Sequence, residues 1–251
     1  THLSPTPHSR APHPIPQPIP HHPSPPLQTG EASPTLDSFD YVCMHSPYNK
    51  LVQKGFARFL AGDFADDPDK AEFADEAVQA YRAKPPQMTV DDRGAEKLFM
   101  GLAQERFGAK CAPGDFISKR TGNCYTAALY MNLLSLVSHV GAALEGKRLL
   151  LFSYGSGAVA TAFCVHARAQ AGTEGGFSVA RIAESVRAAA RLEARTVADV
   201  KALADALQLR ELSYGKAGWT PQGPVKGLAP GTFYLEAVDE EYRRSYGRVP
   251  V

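Results

Sequence analysis

The stretch from His45 to Lys54 combines an ionisable ring with regularly spaced cations. His45 comes immediately before Ser46-Pro47, and Lys50 and Lys54 follow at a spacing that places both ammonium groups on one side of a helix. An imidazole titrates near neutral pH and can polarise a carbonyl group, whereas ammonium groups attract phosphates and carboxylates. The combination favours a site for an anionic ligand that carries a carbonyl. The alternative is that His45 is structural and the lysines form a solvated helix face.

Two predicted elements hold these residues in place. Phe39 to Met44 is a short apolar run that predicts a buried strand ending at His45. Ser46-Pro47 then predicts the start of a helix that continues to about Asp63, because proline is tolerated in the first helical turn. This helix has an apolar face and a cationic face. Its apolar residues are Leu51, Val52, Phe56, Phe59 and Leu60, and its cations are Lys50, Lys54 and Arg58.

Asn123 follows Gly122 and precedes an apolar helix predicted from about Tyr125 to Val137. An asparagine at this point is a helix cap, because its side-chain oxygen accepts a hydrogen bond from one of the first free amides. Such a helix start also directs amides at an anionic or carbonyl oxygen of a ligand. Capping and ligand binding are therefore compatible roles for Asn123.

Ser156 lies between two glycines at the junction of two predicted strands, residues 147–153 and 158–167. Glycine lets the backbone turn tightly and approach a ligand closely. The segment differs from a nucleophile elbow, because no helix follows it and no acidic partner for a serine triad is evident. We therefore interpret Ser156 as a hydrogen-bonding residue.

The remaining sequence alternates helical patterns with short apolar strands, which predicts an α/β domain with a covered sheet. The last strand, Thr232 to Val238, is expected to pair with the sheet strand that contains Leu149 to Phe152. Further helices are predicted at 69–83, 92–107, 177–193 and 196–207.

Composition limits the partners and the compartment. The 251 residues carry 27 lysines and arginines against 26 aspartates and glutamates, so no overall field attracts nucleic acid or an anionic membrane. Neither a run of about 18 apolar residues nor a signal-peptide pattern is present, which predicts no membrane insertion. Four cysteines without a Cys-x-x-Cys pair predict free thiols in a reducing compartment.

Residues 1–36 differ in composition from the rest of the chain. They contain 11 of the 20 prolines and five of the eight histidines. Alternating proline cannot form helix or ladder hydrogen bonds, so we predict a disordered leader before one domain at 37–251. The histidines occupy no regular scaffold, and we predict no metal site. The chain also begins without methionine, which is expected of a fragment or of a processed or misassigned start.

Four stretches of the sequence, taken in order, resemble the 3-hydroxy-3-methylglutaryl-CoA (HMG-CoA) synthase family. The first runs from His45 to Asp63-Phe64 and resembles the segment that carries the family's catalytic histidine. The others are Gly122–Thr126, Phe152–Gly157, and Gly231–Glu236 together with Tyr242–Gly247. The ordered set is more specific than any one motif. The resemblance implies the C-terminal half of a thiolase-like αβαβα sandwich.

The resemblance also implies a reaction and roles for the residues above. The family condenses acetyl-CoA with acetoacetyl-CoA to give HMG-CoA in the mevalonate pathway of isoprenoid and sterol biosynthesis. By motif match, His45 polarises the acetoacetyl thioester, and Lys50 and Lys54 contact coenzyme A. Asn123 and Ser156 hold the acyl oxygens. No metal or redox cofactor is implied, only coenzyme A thioesters as substrates, and the expected location is the cytoplasm.

The family's nucleophilic cysteine and its glutamate acid/base have no matching motif in this chain, and Cys124 stands where the family usually has methionine. We therefore predict a chain that is inactive alone and complete only with an N-terminal half, in cis or in trans, and that is a homodimer when complete. Two alternatives stay open. One is a non-catalytic CoA-binding or regulatory fragment that pairs with a full synthase. The other is a thiolase-fold enzyme that condenses a different acyl substrate.

Overall fold

The computed structural model describes residues 34–84, 91–155, 159–168 and 178–251. The chain divides into two compact units, Thr1–Glu193 and Ala194–Val251. The predicted disorder of the leader falls almost entirely outside the described residues, and so does Ser156.

The first unit is built on a three-stranded sheet with the strand order β1-β2-β3. β1 is Tyr41–Met44, β2 is Arg148–Gly155 and β3 is Val159–His166. β1 runs parallel to β2, with Met44 opposite Phe152, and β2 runs antiparallel to β3. All three strands match the sequence prediction, because each is a short apolar run. The parallel pairing places the C-terminal end of β1 beside Phe152.

The helices are more interrupted than the sequence pattern predicted. Predicted helix 69–83 is a 3-10 turn and a four-residue helix, because the Asp75 carboxylate accepts the amide of Ala77 and starts a new helix. Predicted helix 92–107 breaks at the buried Ala103, and predicted helix 177–193 breaks at Arg187, whose φ is 39°. The α-helices are α1 (Asn49–Asp66), α2 (Glu76–Gln79), α3 (Arg93–Leu102), α4 (Gln104–Lys110), α5 (Ser118–Thr121), α6 (Ala128–Val140), α7 (Val179–Val186), α8 (Ala188–Glu193) and α9 (Val200–Ser213). Short 3-10 turns lie at Leu36–Ser38, Ala71–Phe73, Ala112–Asp115, Tyr125–Ala127 and Gly141–Leu144.

The central strands contribute side chains alternately to two hydrophobic clusters, one for each face of the sheet. The first cluster includes Val42, Met44 and Leu150, and the second includes Cys43, Leu149 and Leu151. Helix α1 supplies Val52, Phe56 and Leu60 to the first cluster, and α6 supplies Leu129 and Leu136 to the second. Helices therefore cover both faces of the sheet, as predicted for an α/β domain.

Helix α6 and its flanking 3-10 turns form one continuous helical segment, Tyr125–Leu144. By length and composition alone this segment is apolar enough to cross a membrane, a test that the core helix of a soluble protein also passes. In this fold α6 contacts β1, β2 and α7. Its apolar character is therefore explained in part by packing on the sheet.

The second unit contains α9 and a two-stranded antiparallel sheet of β4 (Phe233–Val238) and β5 (Arg244–Arg248). The prediction that this last apolar strand pairs with Leu149 to Phe152 was wrong. The Asp239 carboxylate accepts the amides of Glu241 and Arg243 and closes a tight turn. Pairing across a short turn costs less chain entropy than pairing with a distant strand, so the local hairpin forms.

Candidate active site

His45 follows the last residue of β1, where the sequence predicted it. Its backbone amide donates a 2.8 Å hydrogen bond to the carbonyl of Phe152 on β2. The ring is half-buried and meets the ring of Tyr154 edge-on, with centroids 5.4 Å apart. Burial lowers the pKa of His45 below its ordinary value. The imidazole is therefore mainly neutral at pH 7, with one nitrogen donating a hydrogen bond and the other accepting one.

Asn132 on α6 binds the end of β1 from the face of the sheet opposite to α1. Its buried side chain donates a 2.8 Å hydrogen bond from Nδ2 to the carbonyl of Met44, the residue before His45. Sequence analysis missed this residue. The available signal was one asparagine within an otherwise apolar helix, because a buried amide requires hydrogen-bond partners.

Helix α1 begins at Asn49, so the predicted start at Ser46-Pro47 was wrong. Ser46 is only 2% exposed, and its hydroxyl has no hydrogen-bond partner among the described residues, so it does not cap the helix. Tyr48 occupies the N-cap position without a capping side-chain bond. The first amides of α1 therefore begin four residues after His45 in the chain and have no intrahelical acceptors.

The three cations of α1 have different surroundings. Lys50 is exposed, whereas Lys54 and Arg58 are half-buried. Lys54 Nζ lies 2.9 Å from Glu96 Oε1 on α3. The hydrogen bond from Lys54 lowers the pKa of Glu96, and the nearby charge of Arg58 acts in the same direction. The cationic face predicted from the sequence is present, and Lys54 on this face already has a protein counter-ion.

A cavity of about 470 Å³ adjoins this ion pair and is lined by residues of α1, α3 and α4. Charged or polar groups come from Lys50, Gln53, Glu96 and Lys97, and apolar surface comes from Met100 and Phe107. The sequence analysis did not predict this cavity, because it depends on the packing of α1 against α3 and α4, which are distant from it in the chain.

Asn123 is exposed at the start of the segment that leads into α6. Its Oδ1 accepts a 2.7 Å hydrogen bond from the amide of Tyr125, which is 76% exposed and has a φ of 52°. This is a local bond across two residues. Cys124 and Ala127 occupy the N-cap positions of the 3-10 turn and of α6, neither with a capping side-chain bond, so the prediction that Asn123 caps the helix was wrong. Among the described interactions, Asn123 contacts neither His45 nor the two lysines.

Ser156 lies outside the described residues, but the strands on either side of it are those that the sequence predicted. Gly155 at the end of β2 pairs with Val159 at the start of β3. The hairpin is therefore confirmed, whereas the role of Ser156 stays a prediction.

The cysteines are free, as predicted. Burial raises the pKa of Cys43 to about 12, and burial likewise raises the pKa of Cys111 well above its ordinary value. A thiol is nucleophilic only as the thiolate, so neither group is activated. Within the described residues, no group of three or more His, Cys, Asp or Glu side chains is arranged to hold a metal ion.

Comparison with solved structures assigns the fold class. The Bacillus subtilis HMG-CoA synthase PksG superposes with a TM-score of 0.59 at 16% identity, over 88% of this chain and 46% of that chain. The HMG synthase of the curacin pathway gives a TM-score of 0.57 at 21% identity, over 87% of this chain and 46% of that chain. MvaS in complex with HMG-CoA gives 0.56 at 22% identity, over 84% and 42%. The chain has the fold of one half of a thiolase-like synthase.

Sequence comparison assigns the family. The family model described as hydroxymethylglutaryl-coenzyme A synthase C terminal matches residues 25–249, and the chain belongs to this family. It is 39% identical over 221 residues to the HMG-CoA synthase of Mycosarcoma maydis, covering 87% of this chain and 46% of that protein. It is 35% identical over 218 residues to the human cytoplasmic enzyme, covering 86% and 42%. The chain thus spans about half the length of these relatives.

Proposed function

We propose that this chain supplies the C-terminal part of the active site of an HMG-CoA synthase, which condenses acetyl-CoA with acetoacetyl-CoA in the cytoplasm. The observation that carries the proposal is the position of His45. Its ring is half-buried and largely neutral at the end of a central strand, and the next helix carries Lys50 and Lys54. A polarising group and a cationic helix in direct succession suit an acyl-CoA thioester.

In this proposal His45 acts as a hydrogen-bond donor to the acetoacetyl thioester. A neutral imidazole donates its N–H to the carbonyl oxygen and stabilises the negative charge that develops there. Partial burial supports this role, because the surroundings favour the uncharged ring. The edge-on contact with Tyr154 restricts the ring orientation, so the donor is positioned before the substrate arrives.

Lys50 and Lys54 bind the phosphates of coenzyme A in this proposal. Support comes from the exposure of Lys50 and from the cavity beside it. The MvaS structure that shares this fold contains HMG-CoA. Asn123 and Ser156 hold the acyl oxygens; the Tyr125 amide bonded to Asn123 Oδ1 fixes the side-chain amide, whose Nδ2 group is the donor in this proposal. Coenzyme A is a substrate group here, and the proposal requires neither a metal nor another cofactor.

The nucleophilic cysteine and the glutamate acid/base come from an N-terminal half in this proposal. The inactivated thiols of Cys43 and Cys111 support this division. Exposed apolar side chains also support it, because Tyr130 on α6 is 59% exposed and Val159 on β3 is 68% exposed. Surfaces of this kind are covered in a complete two-half fold. The complete enzyme is proposed to be a homodimer.

A second candidate function is a CoA-binding fragment that does no chemistry and pairs with a full synthase. The exposed Lys50 and the cavity beside it favour this candidate, because binding there requires no nucleophile from this chain. Both candidates share the CoA site and differ only in whether the acetyl-enzyme forms.

The test is an assay of coenzyme A release from acetyl-CoA plus acetoacetyl-CoA. The chain is measured alone and together with a recombinant N-terminal half of a related synthase. Activity that appears only in the mixture, and that is lost in His45→Ala, supports the proposed function. Activity that survives His45→Ala contradicts the role of His45. Intact acetoacetyl-CoA binding without turnover in any mixture supports the second candidate instead, and a preference for another acyl group indicates a different condensing enzyme.

A further inference from the structure

Glu96 lies within a group of cations on α1 and α3. Its Oε1 is 2.9 Å from Lys54 Nζ, and the charges of Arg58 and Arg93 also act on its carboxylate. The side chains of Lys54 and Glu96 are 35% and 28% exposed. The pair is therefore accessible to solvent and to an incoming anion.

The cavity of about 470 Å³ beside this pair has the size and lining of a ligand site. Lys50 and Lys97 provide two further ammonium groups at its wall, and Glu96 itself is part of the lining. Met100 and Phe107 provide apolar surface against which a planar base can pack. Cations at the wall together with apolar surface fit a nucleotide better than a simple acyl chain.

We propose that this cavity receives the 3′-phospho-ADP end of coenzyme A, and that Glu96 is the counter-ion that the ligand phosphates displace from Lys54. The inference rests on the proposed function, because it assumes that the ligand of the cationic helix is a coenzyme A thioester. Glu96 is then an affinity-determining residue that acts through Lys54. In the free protein, Glu96 holds the Lys54 side chain toward α3. Coenzyme A binding is weaker as a result, because the ion pair must be separated before Lys54 can bind a phosphate.

Electrostatics supports this exchange. A partly exposed ion pair is weak, because water screens both charges and two long side chains lose freedom. A phosphate carries more charge than a carboxylate and offers more acceptor oxygens, so it competes effectively for the same ammonium group. Lys50 and Lys97 also attract the ligand phosphates, which together carry more negative charge than the single Glu96 carboxylate.

The experiment measures equilibrium binding of coenzyme A, of adenosine 3′,5′-bisphosphate and of pantetheine by calorimetry. The proteins are the 251-residue chain and its variants Glu96→Gln, Lys54→Ala, Lys50→Ala and the double variant of Glu96→Gln with Lys54→Ala. Glu105→Gln is the matched control, since Glu105 is an exposed glutamate on α4 and the substitution changes charge equally. Circular dichroism checks that every variant is folded.

We expect Glu96→Gln to tighten binding of coenzyme A and of the bisphosphate by up to about fivefold, the upper end of the range for an exposed ion pair. Pantetheine has no phosphate, so its affinity stays unchanged, whereas a merely structural role of Glu96 would alter all three ligands. The gain disappears in the Lys54→Ala background and shrinks at high salt. Glu105→Gln has no effect.

Two results separate failure of this inference from failure of the proposed function. If Lys54→Ala weakens coenzyme A binding while Glu96→Gln leaves it unchanged or weaker, the counter-ion role of Glu96 is overturned and the CoA site stands. If the bisphosphate does not compete with coenzyme A, the cavity assignment is overturned. If neither Lys50→Ala nor Lys54→Ala alters coenzyme A binding, both the inference and the proposed role of these lysines fail, although the separate assay of His45→Ala still tests the catalytic proposal.

Discussion

The side-chain amide of Asn132 donates a 2.8 Å hydrogen bond to the main-chain carbonyl of Met44, across a separation of 88 residues in the sequence. Met44 ends β1 and precedes His45. On its other side, the His45 amide donates to the carbonyl of Phe152. The backbone at His45 is therefore fixed from two directions, by a helix on one face of the sheet and by the neighbouring strand.

Replacement of Asn132 by leucine is expected to lower the free energy of unfolding by about 1–3 kcal/mol. The new side chain has a similar branched shape but leaves the buried Met44 carbonyl without its donor, which costs the desolvation of that group. Urea denaturation measures the change. Tyr130→Leu is the control, because Tyr130 lies on the same helix at 59% exposure and the same residue type is introduced without removing a donor from a buried carbonyl. An equal free energy of unfolding for Asn132→Leu and the wild type would show that this hydrogen bond does not stabilise the fold.

The His45 titration is expected to make the protein less stable as the pH falls. Burial lowers the pKa of His45 in the folded state, so the unfolded chain binds a proton more readily. The stabilising contribution is complete above the ordinary histidine pKa and is lost as the pH falls through the lower pKa of the folded state. His45→Gln lacks this titration, so its stability should decline less than that of the wild type between about pH 7 and pH 5. Parallel stability curves for the two proteins would contradict the shift, and NMR titration of the ring measures it directly.

The sequence was sufficient to predict β1, the amphipathic helix α1 and the position of His45 between them. Each depends on local pattern, because an apolar run predicts a buried strand and a 3.6-residue period predicts one buried helix face. The β2-β3 hairpin was predicted for the same reason. The exact start of α1 was not, because the burial of Ser46 depends on what packs around the loop.

Contacts between distant segments could not be predicted from local pattern. Asn132 and Met44 belong to a helix and a strand, and nothing in either segment identifies the other as its partner. The pairing of Lys54 with Glu96 likewise requires α3 to pack against α1. The separate β4-β5 hairpin could not be predicted from the apolar run of the strand, because its pairing is decided by the turn that the Asp239 carboxylate closes.

Replacement of Arg187 by glycine is expected to stabilise the protein by up to about 1 kcal/mol. Arg187 separates α7 from α8 with φ 39° and ψ 50°, a left-handed conformation that glycine adopts without the steric cost of a Cβ atom. Thermal or urea denaturation measures the gain. Arg191→Gly is the matched control, because Arg191 lies within α8, where glycine should instead destabilise by about 1 kcal/mol. Destabilisation by both substitutions would show that the left-handed position carries no strain.

Replacement of Asp115 by asparagine is expected to stabilise the protein above about pH 6 and to change little near pH 4. Asp115 is 1% exposed, its Oδ2 has no hydrogen-bond partner among the described residues, and Lys119 approaches only to 3.9 Å. Burial raises the pKa of Asp115 from 3.8 to about 6, against the smaller opposing effect of Lys119. The folded protein thus retains a proton that the unfolded chain has released, so stability is complete below the unfolded pKa and is lost as the pH rises through the folded pKa.

Asparagine carries no charge at either pH, and we expect a gain of about 1–3 kcal/mol at about pH 8. Urea denaturation at both pH values measures it, with the exposed Glu105→Gln as the charge-matched control. A gain of equal size at both pH values would assign the effect to packing instead of to the buried carboxylate.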